Sequence, residues 1–331
     1  MQYGPVMIDI EGVELSSVER ELLQHPRVGG VIFFTRNYRG IDSLKALVAD
    51  IRETANKKPL LLTVDHEGGR VWRFTEGFTK LPPARHYGTL YDQDSSAGIA
   101  LARNAGWIMA AELLDCGIDF SIAPVLDLGT GISAVVGDRA FHSDPAIVSI
   151  LAQAFIEGMN TVGMSAIGKH FPGHGGCAPD SHIAQPVDPR SLETLFAEDI
   201  IPFKNLSAVL GGIMPAHIVY PAVDTLPAGF SKRWLQDILR KELQFEGVIL
   251  SDCLSMKGAE IGDFVDRAEM ALGAGCDMVI LCQQKRDLVE NVLENLGRNA
   301  TVESSNRLQN LAGKFYNQTR VAQAKPVLSA L

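Results

Sequence analysis

The chain is short of the features that mark membrane, nucleic-acid and disulfide-rich proteins. No apolar run approaches the length of a membrane span, and no run of basic residues interrupts the sequence. Lys and Arg number 30 against 39 Asp and Glu, a net charge of -9. An acidic balance without a basic patch repels phosphate backbones and anionic bilayers, so neither nucleic acid nor membrane is an expected partner. Cysteine is sparse. Cys116, Cys177, Cys253, Cys276 and Cys282 are odd in number and lack CxxC spacing, which excludes a zinc ribbon or disulfide framework and suits reduced thiols in the cytoplasm. The first residues carry no charged leader region and pass straight into an apolar run, so a cytoplasmic location is expected. Pro/Gly/Ser-rich linkers and shifts of composition are also missing, which favours one core.

What the chain does have is alternation. Short apolar runs occupy 5–9, 30–34, 60–65, 120–125, 165–168, 211–214, 247–252 and 277–281. They are continuous and not alternating with polar residues, as strands covered on both faces require. Helical patterns lie between them. Ser16 with Glu19 forms a capping box that opens a helix through Leu22 and Leu23. Leu44, Leu47, Val48 and Ile51 repeat at helical spacing over 42–54, and Trp234, Ile238 and Leu239 do so over 231–243. The alternation predicts an α/β fold, a single (β/α)8 barrel spanning 1–331 as one catalytic domain, with 321–331 a loose C-terminal tail.

In such a barrel the residues ending the strands share one mouth. The candidates are Asp9, Asp65-His66-Glu67, Asp127, Lys169-His170, His217 and Asp252. Any one of them reads equally well as a helix cap or a core hydrogen-bonding group. Together they describe a polar pocket able to hold a hydroxyl-rich ligand. The densest chemistry is the loop Lys169-His170-Phe171-Pro172-Gly173-His174-Gly175 followed by Asp180-Ser181-His182. Its histidines and Asp180 allow a zinc-dependent hydrolase, although the Pro172-Gly173 turn breaks the helical spacing that metal-binding histidine pairs often use. Lys169 also allows a Schiff-base lyase.

Several motifs occur in a specific order: Phe34-Thr35-Arg36-Asn37, Val64-Asp65-His66-Glu67-Gly68-Gly69-Arg70-Val71, Gly137-Asp138-Arg139-Ala140-Phe141, the 169–175 and 180–182 segments, Met214-Pro215-Ala216-His217 and Ser251-Asp252. In these the chain resembles the bacterial β-N-acetylglucosaminidases of glycoside hydrolase family 3 over nearly its whole length. The resemblance implies a retaining, exo-acting enzyme of cell-wall recycling, and through it of cell shape and division. It would release terminal GlcNAc from GlcNAc-1,6-anhydro-N-acetylmuramic acid, with or without peptide, as a monomer and without cofactor or metal. By the same resemblance Asp252 is the nucleophile, and His182 with Asp180 replaces the usual carboxylic acid/base. Asp65, Arg73, Arg139, Lys169 and His170 match sugar-contacting positions, while His174 and His217 support the pocket. The Ser251 hydroxyl is expected to orient Asp252, and Gly68-Gly69 to bring backbone close to the sugar. Two positions depart from the family pattern. Cys253 follows the nucleophile in place of an acidic residue and is expected to be buried and inert, and Lys257 stands where Glu is common.

Overall fold

The computed structural model describes residues 2–178 and 185–313. Among them eight strands occur: β1 Val6–Asp9, β2 Val28–Phe33, β3 Leu61–Val64, β4 Phe120–Ser121, β5 Ile167–Phe171, β6 Gly212–Pro215, β7 Val248–Cys253 and β8 Met278–Leu281. Every pairing is parallel, in the order β4-β3-β2-β1-β8-β7-β6-β5. The two ends of that order meet through the segment after β4. Val125 bridges Lys169, Ile167 N donates to Ala123 O at 2.8 Å, and Leu126 N donates to Lys169 O at 2.7 Å. The sheet thereby closes into the (β/α)8 barrel. Strands β1 to β6 and β8 are buried at every position, as their continuous apolar runs require, and only the outer end of β7 opens.

The helices follow their local signals. Ser17–Gln24 starts with the capping box in place: Glu19 N donates to Ser16 Oγ, and Ser16 N returns a bond to Glu19 Oε2 at 2.9 Å. Ile41–Thr54 buries the four apolar residues that its spacing picked out, Leu44, Leu47, Val48 and Ile51. The expected helix at 231–243 differs in kind. Arg233–Glu242 is a π-helix, with Leu243 N bonding to Ile238 O. Bonding five residues back gathers Trp234, Leu235, Ile238 and Leu239 onto one buried stripe, and Trp234 packs edge-on to Phe171 and Tyr220. No helix among the described residues is long and apolar enough to cross a membrane.

Carboxylates tie down the end of the barrel where the strands begin. Asp277 accepts from Ile249 N at 2.9 Å, Arg240 at 2.9 Å, Ser304 at 2.7 Å and Arg307 at 3.1 Å. Asp119 accepts from Leu62 N at 2.7 Å, Arg52 at 2.7 Å and Gly313 N at 3.0 Å. The opposite end is left free to form a mouth.

Candidate active site

A cavity of about 660 Å³ opens at the strand C-termini. Asp65, Arg73, Arg139, Lys169, His170 and Asp252 all line it, although they come from segments up to 187 positions apart in sequence, from 65 to 252. On one side, four charges alternate in sign. Lys169 Nζ lies 2.6 Å from Asp65 Oδ1 and 2.6 Å from Glu67 Oε1. Glu67 also takes a two-pronged bond from Arg139, at 2.7 and 2.8 Å. Burial alone would raise the Glu67 carboxyl, but Arg139 and Lys169 outweigh it and hold the group well below the usual carboxylate range. Burial likewise works against the charge on Lys169, and Asp65 and Glu67 overcome it, so its pKa is raised. An amine held so firmly protonated is a poor Schiff-base nucleophile, which removes the lyase reading. Arg73 supplies a further donor: its buried Nε has no hydrogen-bond partner among the described residues.

Behind this row stands Asp127. It accepts from His170 N at 3.1 Å, His170 Nδ1 at 2.7 Å and His174 N at 2.7 Å. Burial favours its neutral form, but His170 prevails and lowers the pKa. A buried carboxylate fixes His170 Nδ1 as the donor and so sets the ring's orientation toward the cavity that it lines. His174 also reaches the cavity, with Ser133 Oγ 3.4 Å from its Nδ1, and burial lowers its pKa. His217 is fully buried, stacked on Phe230 at 5.2 Å, and burial lowers its pKa too.

Asp252 lines the same cavity from the end of β7, where Cys253 N donates to its Oδ1 at 2.7 Å. The Ser251 hydroxyl does not serve the carboxylate as expected. It donates to the Asp252 main-chain oxygen at 2.9 Å and accepts from Ile280 N at 3.0 Å, which fixes the backbone of β7 against β8. Cys253 is neither fully buried nor solitary: it lines the cavity, with Cys282 Sγ at 2.8 Å. Lys257 pairs instead with Glu260 at 2.7 Å on the surface.

Several expectations need correction. Lys169 and His170 lie within β5, not on the loop after it, because the strand runs on to Phe171. Asp9, His66 and Asp127 end their runs at the rim but do not line the cavity, since each is enclosed by neighbouring side chains, and His217, read as a supporting residue, is enclosed as well. Gly68 and Gly69 serve the turn after Glu67. Both have positive φ, and a Cβ on them would fall 2.7 Å from Pro82 O and 2.8 Å from Pro83 Cβ, so they let the turn after Glu67 close onto the 81–83 segment. Asp180 and His182, and the tail 321–331, lie outside the described residues. Glu67 and Asp127 are the groups at this mouth that the sequence left without a role, and each binds the polar row together. Both stood among the polar residues ending apolar runs, but nothing local showed that they link the others.

Comparison with known proteins agrees with this geometry. Residues 6–311 match the model of the glycosyl hydrolase family 3 N-terminal domain. A beta-hexosaminidase of Thioalkalivibrio sulfidiphilus is 52% identical over 316 residues, covering 95% of this chain and 90% of the relative. One of Chromobacterium violaceum is 50% identical, covering 94% and 87%. Among solved structures, NagZ from Neisseria gonorrhoeae in complex with N-trifluoroacetyl-D-glucosamine superposes with a TM-score of 0.91 at 42% identity, covering 98% of this chain and 94% of that one. The barrel and its polar mouth are therefore those of a glycoside hydrolase, and the chain belongs to glycosyl hydrolase family 3. Within that family it is an enzyme of the beta-hexosaminidase type.

Proposed function

We propose that the enzyme removes non-reducing terminal GlcNAc from GlcNAc-1,6-anhydro-N-acetylmuramic acid, with or without its peptide, during cytoplasmic recycling of cell-wall fragments. Asp252 attacks the anomeric carbon and forms a covalent glycosyl-enzyme, and the aglycone departs through an oxocarbenium-like transition state. His182, paired with Asp180, gives the departing oxygen its proton and then takes one from the water that releases the sugar. The chain acts as a monomer, needs no metal, and binds no nucleic acid or membrane. The observation that carries this reading is a strand-borne carboxylate, Asp252, lining one cavity together with a fixed row of donors and acceptors.

That row suits the task physically. Asp65 accepts from ring hydroxyls, while Arg73 and His170 donate to hydroxyl or acetamido oxygens. Lys169 and Arg139 are already paired with Asp65 and Glu67, so they hold their positions without reorganising as charge develops on the sugar. The gonococcal NagZ complex supports an N-acylated glucosamine as the unit recognised. The deciding measurement compares hydrolysis of p-nitrophenyl β-GlcNAc and p-nitrophenyl β-glucoside, each with and without EDTA. Turnover of the first alone, unaffected by chelation, is expected. Equal rates on both would replace the reading with a broad β-glycosidase, and loss with EDTA would end the metal-free mechanism.

A further inference from the structure

Two thiols at the ends of β7 and β8 have no part in the proposed chemistry, yet they sit beside its nucleophile. Cys253 Sγ lies 2.8 Å from Cys282 Sγ and 3.0 Å from Ser255 Oγ, and both cysteines line the cavity that Asp252 enters. The remaining cysteines, Cys116, Cys177 and Cys276, are buried. Cys253 ends β7 and Cys282 directly follows β8, the adjacent parallel strand, where Cys253 is in register with Ile280 two residues before Cys282, so the paired strands bring the two sulfurs together.

We propose that Cys253 and Cys282 form a redox modification site, a dithiol that oxidants of the peroxide class convert to a disulfide and thereby switch hydrolysis off. The inference rests on reading this cavity as catalytic. Cys253 reacts first, since it is the more exposed of the two. Its thiolate attacks one oxygen of hydrogen peroxide, the O–O bond breaks, and the departing hydroxide takes up the thiol proton as water. Cys253 is then a sulfenic acid. Cys282 sulfur attacks the Cys253 sulfur, the S–O bond breaks, and hydroxide leaves with the Cys282 proton as a second water. Two thiols and one peroxide give one disulfide and two waters; the thiols lose two electrons and the peroxide gains them. The division of roles agrees with the electrostatics. The hydrogen bond from Cys282 lowers the Cys253 thiol from its ordinary range, and the same bond, then burial, pushes Cys282 well up.

The link would act on catalysis through one atom pair. The Cys253 peptide N–H is bonded to Asp252 Oδ1, so tethering the Cys253 side chain to β8 moves the group that holds the nucleophile. The test treats the whole chain with hydrogen peroxide, quenches the excess, and maps peptides without reduction while hydrolysis of p-nitrophenyl β-GlcNAc is followed. A Cys253–Cys282 linked peptide is expected, with a loss of rate of about tenfold or more that dithiothreitol restores. Cys282→Ala, scored as its own treated-to-untreated ratio, should lose that reversible response. Absence of the linked peptide, oxidation of Cys253 only to sulfinic or sulfonic acid, or a linked peptide with undiminished rate would each overturn the proposal. Should the reduced chain fail to cleave the substrate at all, the assigned activity falls, while the linked peptide still reports on the thiol pair.

Discussion

Asp9 and Asp65 both end apolar strands on the same rim of the barrel, and they have opposite fates. Asp9 is 2% exposed and is surrounded by Arg36, Arg286 at 3.0 Å and the Gln283 N–H at 2.8 Å. Asp65 takes Lys169 and keeps 26% of its side chain open, toward the cavity that it lines. The difference is one of saturation. A carboxylate met on both oxygens by the protein's own donors binds the fold together, whereas one with an oxygen left over can bind a ligand. The β1 arc of the rim is thus structural, and the arc from β3 through β5 to β7 is the one that lines the cavity proposed to take the sugar.

Substitutions on the two arcs should separate activity from stability. The largest effect belongs to Asp252→Ala, for which turnover should drop by roughly 10⁴-fold with unchanged thermal unfolding. A near-normal rate would show that the open arc does not hold the nucleophile. Next, Asp9→Ala strands Arg36 and Arg286 and should cost about 3–5 kcal/mol in denaturant unfolding, with turnover per folded molecule unchanged. If it instead abolished activity in folded protein, the distinction between the arcs would be lost.

His66 gives a smaller, pH-dependent effect. It is buried between Phe74 and Phe78, and burial, then the charge of Arg73, lowers its pKa from 6.5 to about 4. The unfolded chain therefore binds the proton more readily than the folded one. Its contribution is present above about pH 6.5 and is lost as pH falls toward 4, about 3 kcal/mol in all. Urea titrations across that range should show a shallower acid decline for His66→Gln than for the unaltered chain. The smallest effect is expected far from either arc. Arg103 and Glu157 pair at 2.8 Å with side chains 47% and 43% exposed. Arg103→Ala should change stability by no more than about 1 kcal/mol and leave turnover alone.

Much of the barrel was legible because its signals are local. All eight strands overlap the continuous apolar runs, although β5 goes on past its run through Lys169 and His170, and the capping box at Ser16 and the stripe over 42–54 are as their spacing requires. Legibility failed where a choice depended on neighbours distant in sequence. The Arg233–Glu242 segment shows the right apolar stripe but not which hydrogen bond, four or five residues back, packs Trp234 best. The Ser251 hydroxyl was expected to serve its neighbour's carboxylate, but it bonds the Asp252 main-chain oxygen and accepts from Ile280 on the next strand, a partner 29 positions away. Cys253 was expected to be buried and inert, and the residue that sets its surroundings, Cys282, is 29 positions away.

By itself, the order of residues determined the eightfold strand–helix alternation and the set of polar groups delivered to one end of it, because period and burial are properties of short windows. Which of those groups became enclosed and which remained available to a ligand was decided only by the closed barrel. Hydrogen-bond saturation counts neighbours in space, and Asp9, Glu67 and Asp127 find theirs on other strands and loops.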